Sequence, residues 1–118
     1  METGHTSSHM WKKKLKENSD VLESIFNRVG PIRGKREVEF HCDFPDRASA
    51  LEARNLLANR FPPCENRHVY SLRASETHKC KVVDKIEITS NEMIISELCE
   101  PLGGSEVYWE FDSTNFSA

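Results

Sequence analysis

The sequence predicts an α+β domain: an antiparallel sheet with two helices on one face, in the order β-α-β-β-α-β, behind an additional N-terminal helix. Three observations predict it. Two segments, 37–44 and 106–112, alternate apolar and acidic residues with the two-residue period of a strand. Two other stretches space their apolar residues as helices do. Proline and glycine pairs at Gly30-Pro31, Pro62-Pro63 and Gly103-Gly104 punctuate the chain between these segments.

At 118 residues the chain is one domain with enough length for a core that needs no metal or disulfide staple. Residues 1–9 are polar and aperiodic, and the His9-Met10 junction has the look of a cloning scar. They are expected to be a disordered tag or leader, with the native start at Met10 and an N-terminal helix and linker over 10–36. Without Glu2 the formal charge moves from -3 to -2, which disfavours a dedicated phosphate-backbone binder.

The first helix is read from Asn18 onward, with Ser19 or Asp20 as cap, Val21, Leu22, Ile25, Phe26 and Val29 on its apolar side, and Trp11 and Leu15 extending it backward. Its lysine run, Lys12-Lys13-Lys14-Leu15-Lys16, reads as a solvated face. Ile32 to Arg36 is a linker. In the first strand Val38, Phe40, Cys42 and Phe44 face the core, while Glu37, Glu39, His41 and Asp43 face outward. Pro45-Asp46 opens a helix that buries Ala50, Ala53, Leu57 and Phe61 and ends at Pro62-Pro63. Residues 68–73 form an edge strand.

The third strand is expected over 79–89, burying Cys80, Val82, Ile86 and Ile88, exposing Lys79, Lys81, Lys85 and Glu87, and bulging at Asp84. Ser90 then caps a helix carrying Met93, Ile94, Leu98 and Leu102, closed by Pro101 and Gly103-Gly104. The last strand puts Val107, Trp109 and Phe111 inside and Glu106, Tyr108, Glu110 and Asp112 outside. Residues 113–118 are a flexible tail. This order is that of a ferredoxin-like sandwich, core 37–112, in which first and last strands are neighbours. Glu37, Glu39, Asp43, Glu106, Tyr108, Glu110 and Asp112 would then share one acidic surface, partly neutralised by Lys81 and Lys85.

The run from Val38 through Phe40, Asp43-Phe44-Pro45-Asp46 and Ala48 to Leu57 resembles the first strand and helix of the ribonuclease E inhibitor RraB family. The segments from Ile88 to Leu98 and from Gly103 to Glu110 are similar to that family's second helix and final strand. The chain differs in having Val107 between Glu106 and Tyr108-Trp109, where the family tends to have Tyr-Asp-Gly-Trp, and in Pro101 within the late helix. The resemblance implies a ferredoxin-like fold, no chemistry of its own, and binding to an RNA-processing enzyme.

Enzymatic readings find little support in the residues. Outside the leader, where only His41, His68 and His78 remain, no Cys or His pair has zinc-site spacing, so neither metal nor cofactor is expected, and His41 and Cys42 point to opposite faces, against a Cys-His nucleophile. Carboxylates on an open sheet lack a pocket to separate their pKa values. Gly103-Gly104 runs from helix to strand, the reverse of a phosphate-cradling loop. The aromatic residues needed to stack RNA bases are on the core face except Tyr108, and the acids repel phosphate. Cys42, Cys64, Cys80 and Cys99 read as reduced thiols, and with no apolar stretch of signal or membrane length the expected location is cytoplasmic. The expectation is a bacterial protein-binding regulator, monomer or weak homodimer, presenting its acidic face to a basic partner such as a ribonuclease. An immunity protein against a toxin nuclease and a small-molecule-sensing domain are the alternatives.

Overall fold

A computed structural model of the protein describes residues 2–30, 35–61, 66–81 and 85–111. Its elements are α1 (Glu2–Val29), β1 (Lys35–Asp43), α2 (Arg47–Arg60), β2 (Asn66–Tyr70), β3 (Arg73–Lys81), α3 (Lys85–Cys99), a single 3₁₀ turn (Glu100–Leu102) and β4 (Tyr108–Phe111). The four strands form one antiparallel sheet in the order β2-β3-β1-β4, which is the ferredoxin-like arrangement with an extra N-terminal helix. Ile32 to Gly34 of the expected linker, Cys64, Val82, the Asp84 bulge, Asp112 and the 113–118 tail lie outside the described residues.

The alternation in β1 does what its period requires. Val38, Phe40, Cys42 and Phe44 are buried and pack with Ala50, Ala53 and Leu57 of α2 and Ile88, Ile95 and Cys99 of α3. Asp46 caps α2 by accepting a hydrogen bond from the Ser49 backbone N–H at 2.8 Å, and Phe61 closes the helix through its N–H to the Leu57 carbonyl. β2 is an edge strand, as expected, although it ends at Tyr70 and a two-residue turn, Ser71-Leu72, leads into β3.

Three expectations need correction. The first nine residues, read as disordered, are helical from Glu2. The third strand is not 79–89 but Arg73–Lys81, and residues 85–89 begin α3 without Ser90 as a cap. The alternation of Lys85-Ile86-Glu87-Ile88 misleads because Ile86 is 55% exposed and only Ile88 is buried. The face that matters is Ile88, Thr89, Glu92, Ile95 and Cys99, at helical spacing. Met93, Ile94 and Leu98 of the expected face are only half-buried. Lys85 therefore makes no cross-strand pair, and Lys81 stands opposite Lys35 in the β1–β3 register.

The true third strand escaped notice because its core side is polar. In register, Ala74, Glu76 and His78 stand opposite Cys42, Phe40 and Val38 and share their face. Glu76 is 1% exposed, and its carboxylate is held by Arg67, its cross-strand neighbour on β2, and by His78. The His78 ring packs against Phe40 and Phe61. An ion-paired group occupies a position where the binary pattern calls for an apolar residue.

After α3 the chain turns at Gly103, whose φ of +82° suits glycine, and Gly104 passes against Cys42 and Cys99 so closely that a Cβ would stand 2.8 Å from the Cys42 sulfur. Cys42 and Cys99 are free, buried thiols. α1 packs along α3. Its buried Asn18 donates to Thr89 Oγ1 at 2.9 Å and to Glu92 Oε1 at 3.0 Å, and its carbonyl oxygen accepts from Trp109 Nε1 at 2.8 Å. One amide thus ties α1 to α3 and β4. None of the described helices is long and apolar enough to cross a membrane.

Candidate functional site

The core cluster lies wholly on the side of the sheet facing α2 and α3. The opposite face presents Glu37, Glu39, His41 and Asp43 from β1, Arg73, Ser75 and Thr77 from β3, and Tyr108 and Glu110 from β4. At its β2 rim Tyr70 is 79% exposed, with Leu72 in the adjoining turn at 45%.

At the centre, Glu39 and Glu110 stand directly opposite one another on β1 and β4. Like charges in that relation destabilise a strand pair. Both reach for the same atom: His41 Nε2 lies 3.2 Å from Glu39 Oε1 and 3.0 Å from Glu110 Oε1. The other ring nitrogen, Nδ1, is 2.7 Å from Ser75 Oγ on β3. Tyr108 lies over the imidazole with ring centroids 5.1 Å apart. His41, read from the sequence as an exposed strand histidine, is instead buried by the side chains around it.

A second pair flanks this centre. Arg73 Nε donates to Asp43 Oδ1 at 2.7 Å, and its guanidinium lies 5.4 Å from the Tyr108 ring centroid. The hydrogen bond to Asp43 keeps Arg73 above its already high pKa. Burial against its neighbours, followed by the negative charge of Asp43, pushes the Tyr108 phenol above its usual range.

Of the seven residues expected to form the acidic face, Glu37, Glu39, Asp43, Tyr108 and Glu110 are brought together on it. Glu106 is not. It precedes β4 and turns to α1, where Lys14 donates to its carboxylate; that hydrogen bond, more than the lysine's charge, holds Glu106 below its ordinary pKa. Asp112 lies outside the described residues. His41, Ser75 and Arg73 were missed as members. The strand alternation already put His41 beside Glu39 on one face, but nothing local in the sequence announces that β3 supplies Ser75 and Arg73.

On the other side of β4, a cleft of about 370 Å³ opens between α1, α3 and the strand, lined by Lys14, Asn18, Val21, Glu92, Glu106 and Trp109 among others. One lysine serves three carboxylates there: Lys14 Nζ lies 4.0 Å from Glu17 and 3.8 Å from Glu92 as well as against Glu106. Comparison with known protein families, with curated proteins and with solved structures finds no match.

Proposed function

We propose that this chain is a non-catalytic binding protein that docks the outer face of its sheet onto a basic surface of a protein partner, and that the partner is a ribonuclease whose activity it modulates. One observation carries the reading: two carboxylates opposed across β1 and β4 at the centre of a face on which no core cluster is built. His41 bridges the pair within the chain, and the two carboxylates still leave negative charge at the centre of the face that suits an incoming cation. Exposed Tyr70, Tyr108 and Leu72 offer the aromatic and apolar contacts that supply affinity, while the charges set encounter rate and partner choice. The ribonuclease as partner follows from the resemblance of Val38 to Leu57 and Gly103 to Glu110 to the RraB family.

Affinity capture from bacterial lysate with the native chain and with a Glu39→Lys/Glu110→Lys variant tests it. The reading expects an RNA-processing nuclease retained by the native chain alone, with its cleavage rate altered by the purified domain. Equal capture by both chains contradicts it. A toxin nuclease as the retained protein, with rescue of cells from that toxin, would favour the immunity reading. The cleft beside α1 favours a small-molecule sensor as second reading, which a thermal shift with a single metabolite would support.

A further inference from the structure

The three groups at the centre of the outer face have the chemistry and spacing of a cation site. We propose that Glu39, His41 and Glu110 bind one divalent first-row transition ion, with zinc the ion their donors fit best. The donor atoms of the three residues all lie within 4.8 Å of one another. With metal–ligand bonds of about 2.0–2.1 Å, neighbouring ligands stand about 3.0 Å apart around an octahedral ion and about 3.3 Å apart around a tetrahedral one. The separations from His41 Nε2 to Glu110 and Glu39, 3.0 and 3.2 Å, fall on those edges. Binding draws the two carboxylates in from the 4.8 Å span within which the donors lie to the edges of one coordination shell.

Charge and donor type agree. A neutral imidazole with two carboxylates carries two negative charges, which a divalent cation cancels. Arg73, on the same face, is engaged by Asp43. The imidazole favours zinc, iron, nickel or copper over magnesium and calcium, which prefer oxygen donors alone.

Ser75 supplies the outer contact that metal-binding histidines use to fix ring orientation and tautomer. In the tautomer with Nε2–H, that group donates toward the carboxylates, which only accept, and Nδ1 accepts from the Ser75 hydroxyl. With an ion on Nε2, the proton resides on Nδ1 and is donated to the same oxygen. A hydroxyl serves both states because it can donate and accept. Ser75 is itself buried, so the ring is clamped from below while Nε2 is aimed between the two carboxylates. Ser75 is a positioning residue and touches no ion. The inference concerns the isolated chain and does not depend on any protein partner.

Zinc titration of the full chain by calorimetry tests the site. His5 and His9 stand four residues apart in the leader sequence, so the titration is made in a His5→Ala/His9→Ala background. One zinc per chain is expected, with Glu110→Gln and Glu39→Gln each weakening binding by roughly tenfold or more and Ser75→Ala by roughly tenfold. Circular dichroism confirms that each variant is folded. Glu110, whose side chain is 69% exposed, is the substitution least able to disturb the fold, and it decides the matter if the others unfold. An unchanged isotherm in folded Glu110→Gln, or no heat at millimolar zinc in the background chain, overturns the proposal.

Discussion

Replacing Arg67 by methionine should destabilise the domain by about 3 kcal/mol, because it removes the guanidinium, one of the two side chains that hold the buried Glu76 carboxylate. Breaking a fully buried pair costs about 3–5 kcal/mol. The lower end applies here because His78 still reaches Glu76 at 2.5 Å and the Arg67 and His78 side chains are 14% and 12% exposed, leaving water a way in. For a domain of this size that loss lowers Tm by roughly 10–18 °C. The double replacement Arg67→Met/Glu76→Leu should recover most of it, since the orphaned charge is gone and apolar side chains fill the place. Urea denaturation of the native, single and double variants reads these differences directly.

Acid titration adds a sign. Burial raises the Glu76 pKa, but the hydrogen bonds from His78 and Arg67 outweigh burial and leave it below its ordinary value. A carboxylate depressed on folding contributes stability that is complete above the unfolded pKa, about 4.3, and fades as pH falls through the lower folded value. The native chain should therefore lose stability across that window more steeply than Arg67→Met/Glu76→Leu. A single variant as stable as the native chain, or a double variant weaker than the single, would refute the reasoning.

Other substitutions probe different parts of the structure. Asn18→Ala removes the amide that joins α1 to Thr89, Glu92 and Trp109; a loss of about 2–4 kcal/mol is expected, with faster amide exchange across α1 and a changed tryptophan emission. Glu92 is buried, and burial outweighs the Asn18 hydrogen bond and Lys14 charge to place its pKa above the ordinary range. Stability is thus lost as pH rises from the unfolded value, about 4.3, toward the raised folded one, so Glu92→Gln should gain on the native chain in thermal melts as pH climbs above that unfolded value. Gly104→Ala should cost about 1–3 kcal/mol, because its methyl would meet the Cys42 sulfur and the Cys99 carbonyl oxygen, each at 2.8 Å. A melt within 2 °C of native, on the order of the smallest shift such a loss could give, would show that this turn has slack.

The fold was legible where a single period dominates. Val38 to Phe44 alternates cleanly because one face meets helices and the other does not, and Asp46 announces α2 because a carboxylate can cap the Ser49 N–H. β3 was illegible because its core positions hold Glu76 and His78, whose burial is made tolerable by Arg67 on another strand. The start of α3 was misread because Ile86 and Ile88 alternate by chance, one exposed and one in the core. The same limit applies to the outer face. Glu39, His41 and Glu110 could be listed from their strands, but their convergence on one nitrogen depends on a register joining residues 69 positions apart, which no local pattern encodes.

The most direct test of the central claim is a backbone amide shift map of the isotopically labelled chain against the protein captured with it from lysate. The account predicts that the perturbed amides cluster on β1, β3 and β4 around Glu39, Ser75, Tyr108 and Glu110, with Tyr70 and Leu72 at the margin. It also predicts that Glu39→Lys/Glu110→Lys abolishes the perturbation while leaving the fold intact. Perturbation confined to α1 and the cleft beside Trp109, or binding that survives the charge reversal, would contradict it.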